Sequence, residues 1–490
     1  MLFNSFSFLI FFPIVTLCYY LIPHRFRYLW LLAASYFFYM CWEPRYALLL
    51  LGSTAVTYVC ARLLGRAEKI SIRRLILIIS LVLNFGILFL YKYLEFFLIN
   101  LNSLLKALHI ELSVNAFSLV LPVGISFYIF QAVGYTIDVY RKELAPEKNF
   151  FKYAVFVSFF PQLVAGPIER AGNLLHQFEE KHFFEWKRVK NGLLLMLWGF
   201  FLKVVVADRI AIFVDAVFDD FYNYGGWYLV VASILFAIQI YCDFAGYSTI
   251  AIGAASVMGF TLMENFHQPY LAVSVKEFWR RWHISLTGWF RDYLYIPLGG
   301  NRKGKVRKYV NNLIVFFLSG LWHGAMWNYV IWGGLNGLYL VIADLFAPVK
   351  EKVRNLVHWD PEASSNRLLG RIVTFVLVDF SWIFFRSQGT TQAFQVLHQM
   401  TSVRNIGVLL DGSLYQLGLD QRNFWLMMLS IVLLFVVDSL HERGLHVRAW
   451  LEKQNLWCRI LVPIVLIETI LIFGIWGSNY DASAFIYFRF

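Results

Sequence analysis

Charge is scarce in this chain. Only 15% of its 490 residues are Asp, Glu, Lys or Arg, where a soluble domain carries about 25%. With 59% of the residues hydrophobic, too little polar surface remains for a large water-soluble body. Long apolar runs recur from end to end, so the lipid bilayer is the solvent. The five cysteines, Cys18, Cys41, Cys60, Cys242 and Cys458, form no C-x-x-C pair and no Cys/His group with zinc spacing. They predict neither a disulfide nor a metal site. There is no G-x-S-x-G nucleophile elbow and no His-x4-Asp pair. Residues 299–305 follow P-loop spacing only until Val306, where Ser or Thr should meet magnesium, and no strand precedes them. Residues 1–21 are apolar but lack a basic start and a small-residue cleavage site, which predicts a retained membrane helix and not a signal peptide. No internal repeat or inverted symmetry of the transporter kind is visible.

What is present is a series of apolar segments, from residues 6–21 to residues 460–475. They predict an all-α polytopic membrane protein with about twelve crossings. Residues 227–260 are too long for one simple span, which predicts a tilted or broken helix. Residues 153–165 are apolar but too short to cross and are broken by Pro161, Gly166 and Pro167. They predict a re-entrant segment, which must be buried in protein or line a cavity. The net charge of +12 reads as orientation, because Lys and Arg collect in cytosolic loops. The basic clusters fall on one side if both termini lie outside. No basic face stands apart from those loops, so membrane lipid, and not nucleic acid, is the expected partner of that charge.

Few ionisable side chains interrupt the apolar runs, and those that do are functional candidates. His323 ends the run 309–321, with Asn312 and Ser319 on the same helical face at 100° per residue. An imidazole there can take a proton from an alcohol, or it can serve only as a packing hydrogen-bond group. Gly320 and Gly324 allow a neighbouring helix to come close. Residues 276–291 drawn as one helix put Phe278, Trp279, Trp282, Leu286, Trp289 and Phe290 on an apolar arc. Lys276, Arg280, His283, Thr287 and Arg291 share the opposite stripe, as in an interfacial amphipathic helix. That stripe could hold a phosphorylated donor or lipid headgroups, and its cations would keep His283 neutral. Asp243 lies deep in the run 227–260, two residues after Tyr241; it must be paired or face a cavity.

Five ordered segments then carry a resemblance. They are Leu121-Pro122-Val123-Gly124-Ile125-Ser126-Phe127-Tyr128, Pro161-Gln162-Leu163-Val164-Ala165-Gly166-Pro167-Ile168, Tyr241-Cys242-Asp243-Phe244-Ala245-Gly246-Tyr247-Ser248, Trp279-Arg280-Arg281-Trp282-His283-Ile284-Ser285-Leu286 and Leu321-Trp322-His323-Gly324. Together they resemble the membrane-bound O-acyltransferase superfamily, in its bacterial alginate O-acetyltransferase and D-alanyl transfer branch. Ala245 departs from the family, which often has Ser there. Length favours the alginate type, since about a hundred residues follow Phe385.

The resemblance implies one integral-membrane domain over residues 1–490, with a core of about 115–345 and extra helices of about 368–490. It implies a ring of tilted helices around funnels that meet near the active-site histidine. That histidine maps onto His323, which would act as a base or carry the acyl group briefly, and the family's second polar residue maps onto His283. No bound cofactor is expected. A cytosolic acyl thioester such as acetyl-CoA would dock near Lys276, Arg280 and Arg291, with Asp243, Tyr241, Ser319 and Asn312 in support. The acyl group would reach an extracytoplasmic polysaccharide with help from a periplasmic SGNH-type partner. D-alanyl transfer, acylation of a lipid alcohol and transport are the rival readings. The aromatic tail, residues 483–490, is either an interfacial belt or a relay that offers the Tyr487 hydroxyl to His323.

Overall fold

The computed structural model describes residues 1–110, 119–358 and 360–476. Every regular element among them is helical. The chain divides into two compact units that interleave in sequence. The first comprises Met1–Met196 with Ile250–Met263, and the second comprises Leu197–Thr249 with Glu264–Phe490.

Six helices among the described residues are long and apolar enough to cross a bilayer: Tyr46–Arg66, Ile70–Ala107, Trp227–Met258, Ser364–Arg386, Gln421–Glu442 and Leu456–Phe473. A seventh is gained if Trp327–Leu345 and Ala347–Leu356, bent by 52° at their junction, count as one. The protein therefore spans the membrane several times, but the twelve apolar runs of the sequence do not all become long spans among the described residues. One reason is burial by protein instead of lipid. Ile125–Arg141 has 17 residues, and all but Ile137, Tyr140 and Arg141 are buried. A helix surrounded by protein has no reason to match the ~30 Å hydrocarbon thickness.

Trp227–Met258 is one unbroken helix of 32 residues, which at 1.5 Å per residue is about 48 Å long. Of the two expectations for this run, the break does not occur. The segment expected to be re-entrant forms two short helices, Phe150–Ser158 and Phe160–Leu163, parted at Phe159. Every residue from Tyr153 to Glu169 is buried, as non-spanning backbone in a membrane protein must be. The first unit closes on its late segment through named bonds. Tyr20 donates to the Val257 carbonyl (2.7 Å), and Glu169 Oε1 and Gln177 Oε1 accept the backbone N–H groups of Met263 and Thr261.

Candidate active site

The second unit builds its centre on a helical hairpin, Lys305–His323 and Trp327–Leu345. The two backbones touch. A Cβ on Gly320 would collide with the Tyr329 carbonyl oxygen, and one on Gly333 would collide with that of Phe316. Only glycine permits this approach. The first helix stops at His323 because Gly324 is extended (φ −162°, ψ 146°). His323 is 4% exposed. Its ring meets Trp322 at 4.9 Å, Trp332 at 5.1 Å and Phe385 at 5.3 Å between centroids. Ser319, one turn earlier, is also buried. Asn312 is only half-buried. Its neighbour Asn311 is the enclosed one, and the Asn311 Nδ2 donates to the Gly300 carbonyl at 2.9 Å.

The second histidine departs from the sequence expectation. Residues 276–291 are not one amphipathic helix. They form Val275–Arg281 and Ile284–Phe290, and a π-helical turn, Arg291–Tyr295, follows. The break is at His283, whose φ of +42° is left-handed, a conformation that L side chains adopt at a cost. The turn swings His283 off the basic stripe and into the interior, where it is 1% exposed. Its ring stands against Phe244 at 4.6 Å and Trp322 at 5.8 Å. Burial, and not the neighbouring cations, keeps this imidazole neutral by lowering its pKa to about 3. Lys276, Arg280 and Arg291 remain exposed, and Arg291 pairs with Asp292 at 2.7 Å.

A facing loop holds the left-handed turn. His267 N–H donates to the Arg281 carbonyl (2.9 Å) and Ile284 N–H to the Asn265 carbonyl (3.0 Å). Asn265 Oδ1 accepts from Ser285 Oγ at 2.6 Å, and its Nδ2 donates to Ser248 Oγ at 3.2 Å. Both imidazoles thus pack on the one indole of Trp322. A second aromatic path runs from Trp282 to Trp382 (5.2 Å), to Trp332 (5.5 Å, stacked) and on to His323. In so apolar a setting the His323 imidazole can exchange a proton with a hydroxyl while water is excluded, and His283, held neutral, can hydrogen-bond to a reacting group.

Asp243, beside Phe244 in sequence, sits in an ion triad. Lys203 Nζ lies 2.5 Å from Asp243 and 2.9 Å from Asp208. All three side chains are buried, and Lys203 belongs to a π-helical stretch, Phe201–Ala207, a geometry frequent at functional sites. Sequence reasoning misses Lys203, although the rule that singles out Asp243 applies to it equally: it is a charge inside the apolar run 192–207. Tyr241 donates to Asp438 at 3.1 Å. Tyr487 lies outside the described residues.

A model of the membrane-bound O-acyltransferase family matches residues 19–354. The chain belongs to that family. This membrane-bound O-acyltransferase is 32% identical to the peptidoglycan O-acetyltransferase of Helicobacter pylori, over 94% of this chain and 91% of the relative. It is 38% identical to the probable alginate O-acetylase AlgI of Pseudomonas syringae, over 79% of this chain and 73% of the relative. A more distant relative is the teichoic acid D-alanyltransferase of Streptococcus thermophilus, 29% identical over 60% of this chain and 74% of the relative. His283 and His323 both fall within the matched residues, and the protein is an O-acyltransferase enzyme.

Proposed function

We propose that this acyltransferase takes an acetyl group from a cytosolic thioester, acetyl-CoA, and passes it across the membrane for O-acetylation of an extracytoplasmic polysaccharide. The observation that carries the reading is the pair of buried imidazoles on Trp322 in a family of O-acyltransferases. The named substrates of two relatives, alginate and peptidoglycan, support a glycan acceptor. In the chemical step His323 takes the proton of an acceptor hydroxyl, and the oxygen attacks the thioester carbonyl. The C–S bond then breaks, and the sulfur takes that proton back from the imidazolium and leaves as the thiol. Base catalysis of this kind contributes ~10²–10⁴-fold. His283, held neutral, orients the acceptor or the thioester carbonyl. A periplasmic SGNH-type partner completes delivery to the glycan, and the enzyme lies in the inner membrane with both termini outside.

The test supplies inside-out membrane vesicles with acetyl-labelled CoA and follows the label. Transfer to glycan on the far side supports the proposal. Label confined to lipid alcohols, or uptake without acyl turnover, would overturn it. The exposed cations Lys276, Arg280 and Arg291 are the proposed docking surface for the donor's phosphates. Arg280→Ala with Arg291→Ala should raise the donor concentration for half-maximal rate by about tenfold, the equivalent of one lost charge-assisted bond. An unchanged value would assign these residues to lipid headgroups.

A further inference from the structure

The family match ends at residue 354, yet a helix beyond it reaches the His283 segment. Gln421–Glu442 carries Asp438 and Glu442 one turn apart on one face. Glu442 grips Arg281 with both oxygens, at 2.6 Å to Nη1 and 2.9 Å to Nη2. Arg281 also meets Glu277 at 2.5 Å, so its guanidinium is fixed from two sides. Asp438 accepts from Tyr241, whose ring packs beside Trp282 at 6.2 Å and Phe266 at 5.8 Å. The residues held are those around the turn. Arg281 stands two positions before His283, and its carbonyl takes the His267 N–H. A left-handed non-glycine residue persists only where its surroundings over-determine it. The fork geometry of a bidentate arginine–carboxylate pair supplies direction as well as attraction.

We infer that Glu442 is a positioning residue for His283. Through Arg281 it fixes the turn that directs His283 onto Phe244 and Trp322, so the helix Gln421–Glu442, beyond the matched residues, is part of what builds the active site. The inference rests on the proposed role of the two histidines. Its test is Glu442→Gln, which keeps the side chain's size and removes its charge, with Arg281→Lys, which keeps the charge and removes the fork. Folded protein is quantified by size exclusion in detergent, and kcat and KM for the acyl donor are measured per folded molecule. Both variants should fold and keep KM, while kcat falls by about 10²-fold, the loss expected when a reacting group is misplaced by an ångström. Wild-type kcat in Glu442→Gln would overturn the inference, as would a loss of folded protein with kcat per folded molecule unchanged. If Glu442→Gln does not fold, Arg281→Lys decides by the same two measurements. A His323→Ala variant assayed beside them separates the two ideas. Near-wild-type turnover in His323→Ala removes the histidine roles on which the inference rests, whereas a His323→Ala slowed by about 10²-fold or more beside a fully active Glu442→Gln sinks only the role of Glu442.

Discussion

His323→Ala is expected to abolish acyl transfer while the protein still inserts and purifies. The side chain is 4% exposed and enclosed by Trp322, Trp332 and Phe385, so its loss leaves a small cavity in a rigid aromatic setting. The helix that carries it is secured elsewhere, by the glycine contacts with the following helix and by Asn311. For the proposed base role the chemical loss is ~10²–10⁴-fold. His283→Ala should lose less, because the orienting role proposed for it does not move the proton itself. The measurement is acetyl content of surface glycan in cells that express each variant at equal level. Near-normal acetylation with His323→Ala would remove that residue from the mechanism.

Lys203→Met is expected to have the largest effect on stability. The lysine joins two buried carboxylates, Asp208 and Asp243, and its removal leaves both without their cation. Breaking a buried pair costs about 3–5 kcal/mol, a large share of the total stability of a domain. Thermal unfolding in detergent should show a strongly lowered midpoint, and the double variant Lys203→Met with Asp243→Asn should recover part of it, because it removes one of the two buried carboxylate charges that the lysine balances. An unchanged midpoint in Lys203→Met would mean that the triad contributes nothing net.

Much of this architecture is legible in the sequence, and the reasons differ by element. The apolar runs reveal a membrane protein because lipid selects for them directly. They do not give the number of spans, since Ile125–Arg141 is apolar for burial in protein. His323 is legible because a titratable group at the end of an apolar run is costly unless used. His283 is legible by resemblance, but periodicity misplaces its setting. Periodicity assumes a continuous helix, and one left-handed residue turns the side chain from surface to interior. Lys203 and Asp243 are 40 positions apart, and the pairing of distant charges follows from tertiary packing alone. Arg281 with Glu442 is hidden for the same reason.

The interleaving of the two units has a consequence for a chain that emerges from its N-terminus. Chains fold from the N-terminus as they emerge, yet the first unit cannot close when Met196 appears. It still lacks Ile250–Met263, the residues that supply the Val257 carbonyl to Tyr20 and the N–H groups of Thr261 and Met263 to Gln177 and Glu169. Those arrive only after Leu197–Thr249, which belong to the other unit. A fragment that stops at Met196 therefore lacks the backbone partners of Tyr20, Gln177 and Glu169, and is expected to be less stable than the same residues in the full chain.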